Sequence, residues 1–565
     1  MAKIRSAQTS FVAGQLDPAL IVRTDLDTFF KGGSALTNIN VITQGGIERR
    51  WGLKYIVGTP GNNPVKKAPF EFNNEQKYLF VFSAGQLDAY ADDVLVDTLT
   101  TAPISSITEA MLPDLKWTQS ADTMYLFHPD LQTIKITRTG AATFTATAVA
   151  FSGIPTYDYG SGAEPVISAS RGWPVSGSFH QARLVLCGLK GRPQTTLMSQ
   201  VGDFENLAEG TGLDDEGINI TINSGQANPI RSCYSGRHFQ IFTEGGEFYI
   251  PSGLDSAPIT PTNITIIRQT GHGVTNLQPI SVDGATLFYD GKDLREFVFK
   301  DIELSYVAES LSIMSTSIIN SCVSMALRRT VESSNANYVY MVNADGTVGV
   351  LNTLRGQGIT AWTKYTTLGE FEDVAVVGGD VYFTVKRSVN GADVRYIERL
   401  DEAYKTDAAI QQTSGSATDS WSGLSHLEGE EVKAVGDNFM MDNVTVASGA
   451  VTTSKSVSDT EFGMDFAFFV KTMPFDAVVE GGTLTAEYKR KVSVRLNLEN
   501  TRNILVDGFR PASTPIADVF SGVPSYINGW RRVNLSGIDR DAQVEITQDQ
   551  PLEFKMFGMV LEVKF

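Results

Sequence analysis

Apolar residues in this chain fall in short runs, some alternating with polar residues and some continuous, and nearly every run is closed by Gly, Asp or Asn. Runs of strand length bounded by turn-forming residues predict a mainly β protein. Only two stretches approximate helical spacing. These are Asp25 to Leu36 and Leu304 to Met325, the second through Leu304, Ala308, Leu311, Ile313 and Met314, and both are expected to be helices.

Aligning the runs on their first aromatic or apolar residue reveals a recurrence. Runs begin at Tyr78, Met124, Leu184, Phe239, Thr286, Tyr338 and Val381, with successive starts 43 to 60 residues apart. That interval matches one four-stranded propeller blade. Two runs continue through a tight turn into a second strand, at Glu244-Gly245-Gly246 and at Asp345-Gly346. The expectation is a β-propeller-like core over residues 71–400, with an array of β-sandwiches as the rival. Residues 406–423 are dominated by Ser, Thr, Gly and Asp, and a domain boundary is placed there. A C-terminal β-domain of sandwich type then spans 401–565 and closes on an alternating strand within Glu545 to Phe565. Residues 1–70 form a separate N-terminal segment.

Composition narrows the function. With 565 residues, 42% of them hydrophobic, the chain is long enough for several packed domains. The formal charge of −18 argues against a protein that grips nucleic acid, because neutralising phosphates needs clustered Lys and Arg. The charge is uneven. Residues 1–70 carry nine basic and four acidic side chains, leaving the remainder at −23. Arg49, Arg50, Lys54, Lys66 and Lys67 are therefore the candidates for contact with a neighbouring subunit or another protein. Cys187, Cys233 and Cys322 lie far apart in apolar runs and are expected to be buried free thiols. No apolar leader and no eighteen-residue apolar run occurs, so a protein made in the cytoplasm without a membrane-spanning segment is expected.

A search for chemistry finds no Gly-x-Ser-x-Gly, P-loop, dinucleotide, Cys-x-x-Cys or His-Glu-x-x-His motif. The five histidines, His128, His180, His238, His272 and His426, are dispersed. Three groups of acids could in principle serve glycoside hydrolysis: Asp25 with Asp27, Asp214 with Asp215 and Glu216, and Glu428 with Glu430 and Glu431. Each sits in a short polar stretch that a turn explains. No enzyme, cofactor or metal site is expected.

Ser10-Phe-Val-Ala-Gly-Gln-Leu-Asp-Pro-Ala-Leu20, then Arg23-Thr-Asp-Leu26, then Asn38 to Trp51 resemble the opening of podovirus tail proteins. That family reads Ser-Phe-x-x-Gly-Glu-Leu-Ser-Pro, Arg-x-Asp-Leu and Gln-Gly-Gly-x-x-x-Arg-Pro-Gly. Here Gln15, Asp17 and Trp51 replace the family's acidic residue, serine and proline. Trp117 to Asp122, His128-Pro-Asp130, Gln181 to Leu184, Pro193 to Asn206, Leu287 to Asp290, Asn343 to Gly346, Ala361-Trp362, Arg395 to Glu398 and Leu427 to Gly429 follow in the same order. The chain thus resembles the tail nozzle, or tail tubular protein B, family of short-tailed bacteriophages. The resemblance implies a virion tail protein in a ring of typically six copies below a tail adapter ring. Fibres or spikes would lie nearby, and genomic DNA would pass through the channel without sequence-specific binding. The alternative is a receptor-binding or polysaccharide-degrading tail component.

Overall fold

The computed structural model describes residues 3–160, 162–251, 258–329, 337–437, 439–479, 482–511 and 525–565. Its centre is a β-propeller of seven four-stranded antiparallel blades, accompanied by β-sandwich structure. Blade 1 comprises Lys66–Glu71, Lys77–Ser83, Gln86–Ala91 and Val94–Leu99. Blade 2 comprises Lys116–Ser120, Thr123–His128, Leu131–Gly140 and Thr143–Ala148. Blade 3 comprises Pro174–His180, Arg183–Leu189, Arg192–Met198 and Ile218–Thr221. Blade 4 uses Ile230–Ser235, Phe239–Thr243, Gly246–Ile250 and Ile267–Thr270, and blade 5 Ile280–Val282, Ala285–Tyr289, Leu294–Lys300 and Ser305–Ser310. Blade 6 uses Cys322–Arg328, Asn337–Asn343, Val348–Leu354 and Ile359–Tyr365. Blade 7 takes Glu370–Val377, Asp380–Val389 and Ala392–Asp401 from this part of the chain, and its fourth strand, Gly52–Gly58, from the N-terminal segment.

The seven recurring apolar runs are the second strands of the seven blades. They are continuous because each blade is sandwiched between two neighbours and buries both faces. In blade 1, Phe80 and Phe82 pack toward blade 2 while Leu79 and Val81 pack toward blade 7. In blade 2, Met124 and Leu126 face blade 1, and Tyr125 and Phe127 face blade 3. Every pair of successive blades shares an apolar cluster of this kind, including blades 7 and 1. The ring closes twice. Gly52–Gly58 pairs with Ala392–Asp401, placing Leu53 opposite Leu400, and the first strand of blade 7 lies beside that of blade 1.

The rest of the chain builds outward from blades 6 and 7. Beyond Gly52–Gly58 the sheet continues into Asp407–Ser422, Ala450–Met464 and Glu431–Gly436, over a core that includes Leu427, Val432 and Phe462. Beyond Ile359–Tyr365 it continues through Gly14–Gln15 and Gly32–Thr37 to Phe469–Thr472, Glu545–Gln548 and Ile504–Val506. A second sheet packs on this extension. It contains Ile39–Val41, Ile47–Arg49, Lys555–Lys564, Lys489–Thr501 and Ile527–Asn534, with Lys3–Gln8 also paired to Lys555–Lys564. Their common core holds Phe11, Leu36 and Ile47 from one end of the chain and Val494, Leu496, Ile546 and Val563 from the other.

Three expectations are corrected. Residues 1–70 are not a separate segment, because they supply strands to the sandwich, to blade 7 and to blade 1. The stretch 406–423, where the boundary is placed, is no break in the fold: Asp407–Ser422 is a sixteen-residue strand paired with Ala450–Met464 in the sheet that continues from blade 7. Neither predicted helix exists. Asp25 to Leu36 forms turns, a 3-10 turn at Phe29–Lys31 and the strand Gly32–Thr37, whose tandem glycines disfavour a helix. Leu304 to Met325 is divided between blades 5 and 6, and Leu304 adopts a left-handed φ of 50° that no helix tolerates. Among the described residues, helical structure is confined to short 3-10 turns, and no helix is long and apolar enough to cross a membrane.

Candidate functional site

The first strands of the blades surround the propeller axis and leave a cavity of about 400 Å³. Lys66, Lys116, Tyr234, Ser281, Ser324 and Val374 represent six of the seven blades around it. At one side Asp373 ties the ring closed. Its carboxylate accepts from the Lys67 amide at 2.9 Å and from the Ser324 hydroxyl at 2.7 Å, and it pairs with both Lys66 and Lys67 at 3.1 Å. Burial alone would raise its pKa, but the two ammonium groups and these hydrogen bonds hold it down at about 2. Across the axis the buried Lys116 donates to the carbonyl of Arg231 and to Asn276 Oδ1, while Asn276 donates to Asp114. With no carboxylate bonded to it directly, desolvation pushes Lys116 down to about 7. These groups fasten blade 7 to blades 1 and 6, and blade 2 to blades 4 and 5. The cavity is of small-ligand size and far too narrow for a DNA duplex, whose major groove alone is about 12 Å wide.

A second cleft, about 790 Å³, lies where blades 6 and 7 meet the sandwich. Glu48, Trp51, Arg328, Tyr338, Glu402 and Lys555 line it. Burial raises Glu48 to about 7, against the opposing pull of Lys555.

The five basic candidates of the N-terminal segment are spent within the chain. Arg50 is fully buried, forks onto Asp407 at 2.9 and 2.6 Å, donates to Asn38 Oδ1 at 2.8 Å and stacks on Phe466. Arg49 is buried, donates to Gln548 Oε1 at 2.9 Å and lies over the same ring. Lys67 is buried against Asp373, as above. These three cannot reach another subunit, and that expectation is corrected: burial in an interior seam requires an internal counter-charge. Lys54 and Lys66 are partly covered and already paired, with Asp93 at 2.8 Å and Asp373 at 3.1 Å.

Five of the eight candidate acids serve as turn and loop ties. Arg23 holds Asp25 at 2.8 Å, and Glu216 accepts from the amides of Thr211, Gly212 and Leu213. Glu428 accepts from the amides of Ser448 and Gly449, Glu430 from that of Asn390, and Glu431 from the Asn443 side chain. Asp345 caps the amide of Thr347 ahead of Gly346, whose φ is +76°. The histidines stay apart. His128 accepts from the Asp130 amide, while His180, His238 and His426 lie against Ser235, Tyr306 and the Ala408 carbonyl. The three cysteines are buried and free. Among the described residues no group of three His, Cys, Asp or Glu could hold a metal ion.

Sequence reasoning missed Lys116, Asn276, Ser324 and Asp373. They come from different blades and meet only when the ring closes, so no spacing announces them. What the sequence does hold is a polar residue recurring in or beside the first strand of a unit.

No family model matches the sequence, and no curated protein matches it. Solved structures with which the fold aligns include the WD40 repeats of RRP9, at 8% identity and TM-score 0.39 over 63% of this chain and 100% of that one. Others are the Neurospora crassa Pan2 WD40 domain (10%, 0.35, 62% and 95%) and apo AztD from Citrobacter koseri (10%, 0.34, 71% and 91%).

Proposed function

We propose that this chain is a non-enzymatic structural subunit of the tail nozzle of a short-tailed bacteriophage. Several copies form a ring around an axial channel that retains the genome and then passes it to the host. The observation that carries the reading is the ordered series of stretches resembling that family from residue 10 to residue 429. Residues of the N-terminal stretches hold the parts of the molecule together. Gly14 backs so closely onto Trp362 that a Cβ would come within 2.2 Å of its amide nitrogen. Gly46 does the same against the Met556 carbonyl at 2.8 Å, and Arg50 locks onto Asp407. Gly14 and Arg50 tie the propeller to the sandwich, and Gly46 packs within the sandwich's own second sheet.

DNA passes between copies rather than through one propeller, since the cavity at the propeller axis is only of small-ligand size. A channel through which a polyanion must slide should hold phosphate weakly, because each neutralised phosphate adds a salt-dependent grip. Part of the net −23 beyond residue 70 therefore faces the channel.

Electron cryo-microscopy of intact particles tests this. Density for this chain as a ring below the adapter, with a predominantly acidic wall, is the expected result. A basic wall would overturn the charge argument. A peripheral position on the tail would overturn the nozzle reading in favour of receptor binding or polysaccharide cleavage.

A further inference from the structure

Two surfaces far apart in the sequence complement each other in charge. The first is the outer face of the sandwich at its edge strand Ile527–Asn534. The pairing places Trp530 opposite Asn497 and Arg532 opposite Arg495, with Val494 and Leu496 turned to the core. Trp530 is 55% exposed. Arg490, Arg495 and Arg532 are exposed, and none has an ion pair among the described residues. An arginine row flanking an exposed tryptophan has the composition of a binding hot spot.

The second surface is the long connection between the third and fourth strands of blade 3. Between Arg192 and Arg231 the chain holds six acids and no Lys or Arg. Glu205 is taken by Lys135 at 2.6 Å, and Glu216 by the loop's own amides. Asp203, Glu209, Asp214 and Asp215 remain exposed without an ion pair among the described residues. Leu213 and Val201 beside them are 61% and 46% exposed, apolar counterparts for a tryptophan.

We infer that the blade 3 acidic loop of one copy docks on the arginine–tryptophan face of the next. Two different surfaces meeting between copies allow a head-to-tail contact, the kind that propagates by rotation and closes into a ring. An assembly that stops at two copies would mean a reciprocal two-fold pair and overturn the head-to-tail contact. The inference deepens the nozzle reading by naming the subunit contact, and rests on it only for the closure into a ring.

The test uses the full chain and charge reversal, read by sedimentation velocity and native mass spectrometry at low salt. Wild type should associate, and 0.5 M salt should weaken the association by screening. R495E/R532E and D214R/D215R should each raise the dissociation constant on the order of 100-fold. Mixing the two variants, or combining all four changes in one chain, should restore association, because the reversed surfaces again match. Unchanged thermal unfolding of each variant separates a lost contact from a lost fold. Failure of the mixture to recover, association indifferent to either reversal, or a wild type that stays monomeric overturns the inference. So does duplex DNA that binds wild type and D214R/D215R alike but not R495E/R532E, which would assign the arginines to phosphate. A particle map with a ring built on other surfaces would sink this contact and leave the nozzle reading standing. Recovery in the mixture from a chain found outside the tail axis would do the reverse.

Discussion

The propeller and the sandwich are both β structure, but they are assembled in opposite ways. Within blades 1 to 6 each strand pairs with the next in sequence, mostly across a short turn, and each blade packs on the blade that follows. The sandwich instead joins residues more than 500 positions apart: Lys3 lies opposite Lys564, and Arg5 opposite Glu562. The propeller's contacts are thus mostly local in the chain, whereas the sandwich exists only once both ends are present. Blade 7 belongs to both worlds, since its outer strand comes from residues 52–58. One expects the sandwich and blade 7 to be the last parts to form, because closing so long a loop precedes any gain from its contacts.

Four experiments would break or sharpen that contrast. The largest effect is expected from deleting residues 1–58. This removes five sandwich strands and leaves blade 7 with three, so cooperative thermal unfolding should be lost for the sandwich and blade 7 together. Hydrogen exchange should still find slow amides in the second strands of blades 2 to 5. Uniform loss of protection across all blades would show that the propeller does not hold without the seam.

Next comes the buried pair at that seam. Arg50→Met strands Asp407 in the interior and should cost about 3–5 kcal/mol in urea unfolding, while R50M/D407L should recover most of the loss. An equal cost in both variants would mean that packing on Phe466, not charge, dominates there.

A smaller effect is expected at Gly14, where φ is +64° and the backbone of Trp362 leaves no room. Gly14→Ala should cost about 2–3 kcal/mol, against about 1 kcal/mol for Gly212→Ala in the blade 3 loop, where φ is also positive but the space is open.

The subtlest is a matter of pH. Glu48 titrates higher in the fold than in the unfolded chain, because burial disfavours its charge. Between its ordinary value of 4.5 and about 7 the native state binds more protons, so this contribution to stability is full at low pH and declines as pH rises through 7. Glu48→Gln should flatten that decline in unfolding measured from pH 4.5 to 8. An unchanged slope would place the titration elsewhere.

The contrast also explains what could be read in advance. A strand buried on both faces must be apolar at successive positions, so Tyr78-Leu-Phe-Val-Phe and its six counterparts disclose the blades, their number and their spacing. Cys187, sitting in such a run, discloses its burial. Arg49, Arg50 and Lys67 could not be placed, because a cation in a polar stretch looks the same whether it faces solvent or a carboxylate 300 residues away. The apparent helix Leu304 to Met325 misled for a related reason: apolar positions serving two blades happened to fall at helical intervals.

What the sequence by itself determined, then, is everything carried by a local period: the β class, the seven repeating units, the tight turns and the absence of a contiguous catalytic motif. What only the tertiary structure decided is everything that depends on partners distant in the chain: the fourth strand of blade 7, the two-ended sandwich, the Asp373 and Lys116 networks at the axis and the fate of the basic N-terminus. The physical reason is one of range. Hydrophobic periodicity is written residue by residue along a strand, whereas pairing of charges and closure of sheets depends on which segments meet, and that is fixed by packing across the whole molecule.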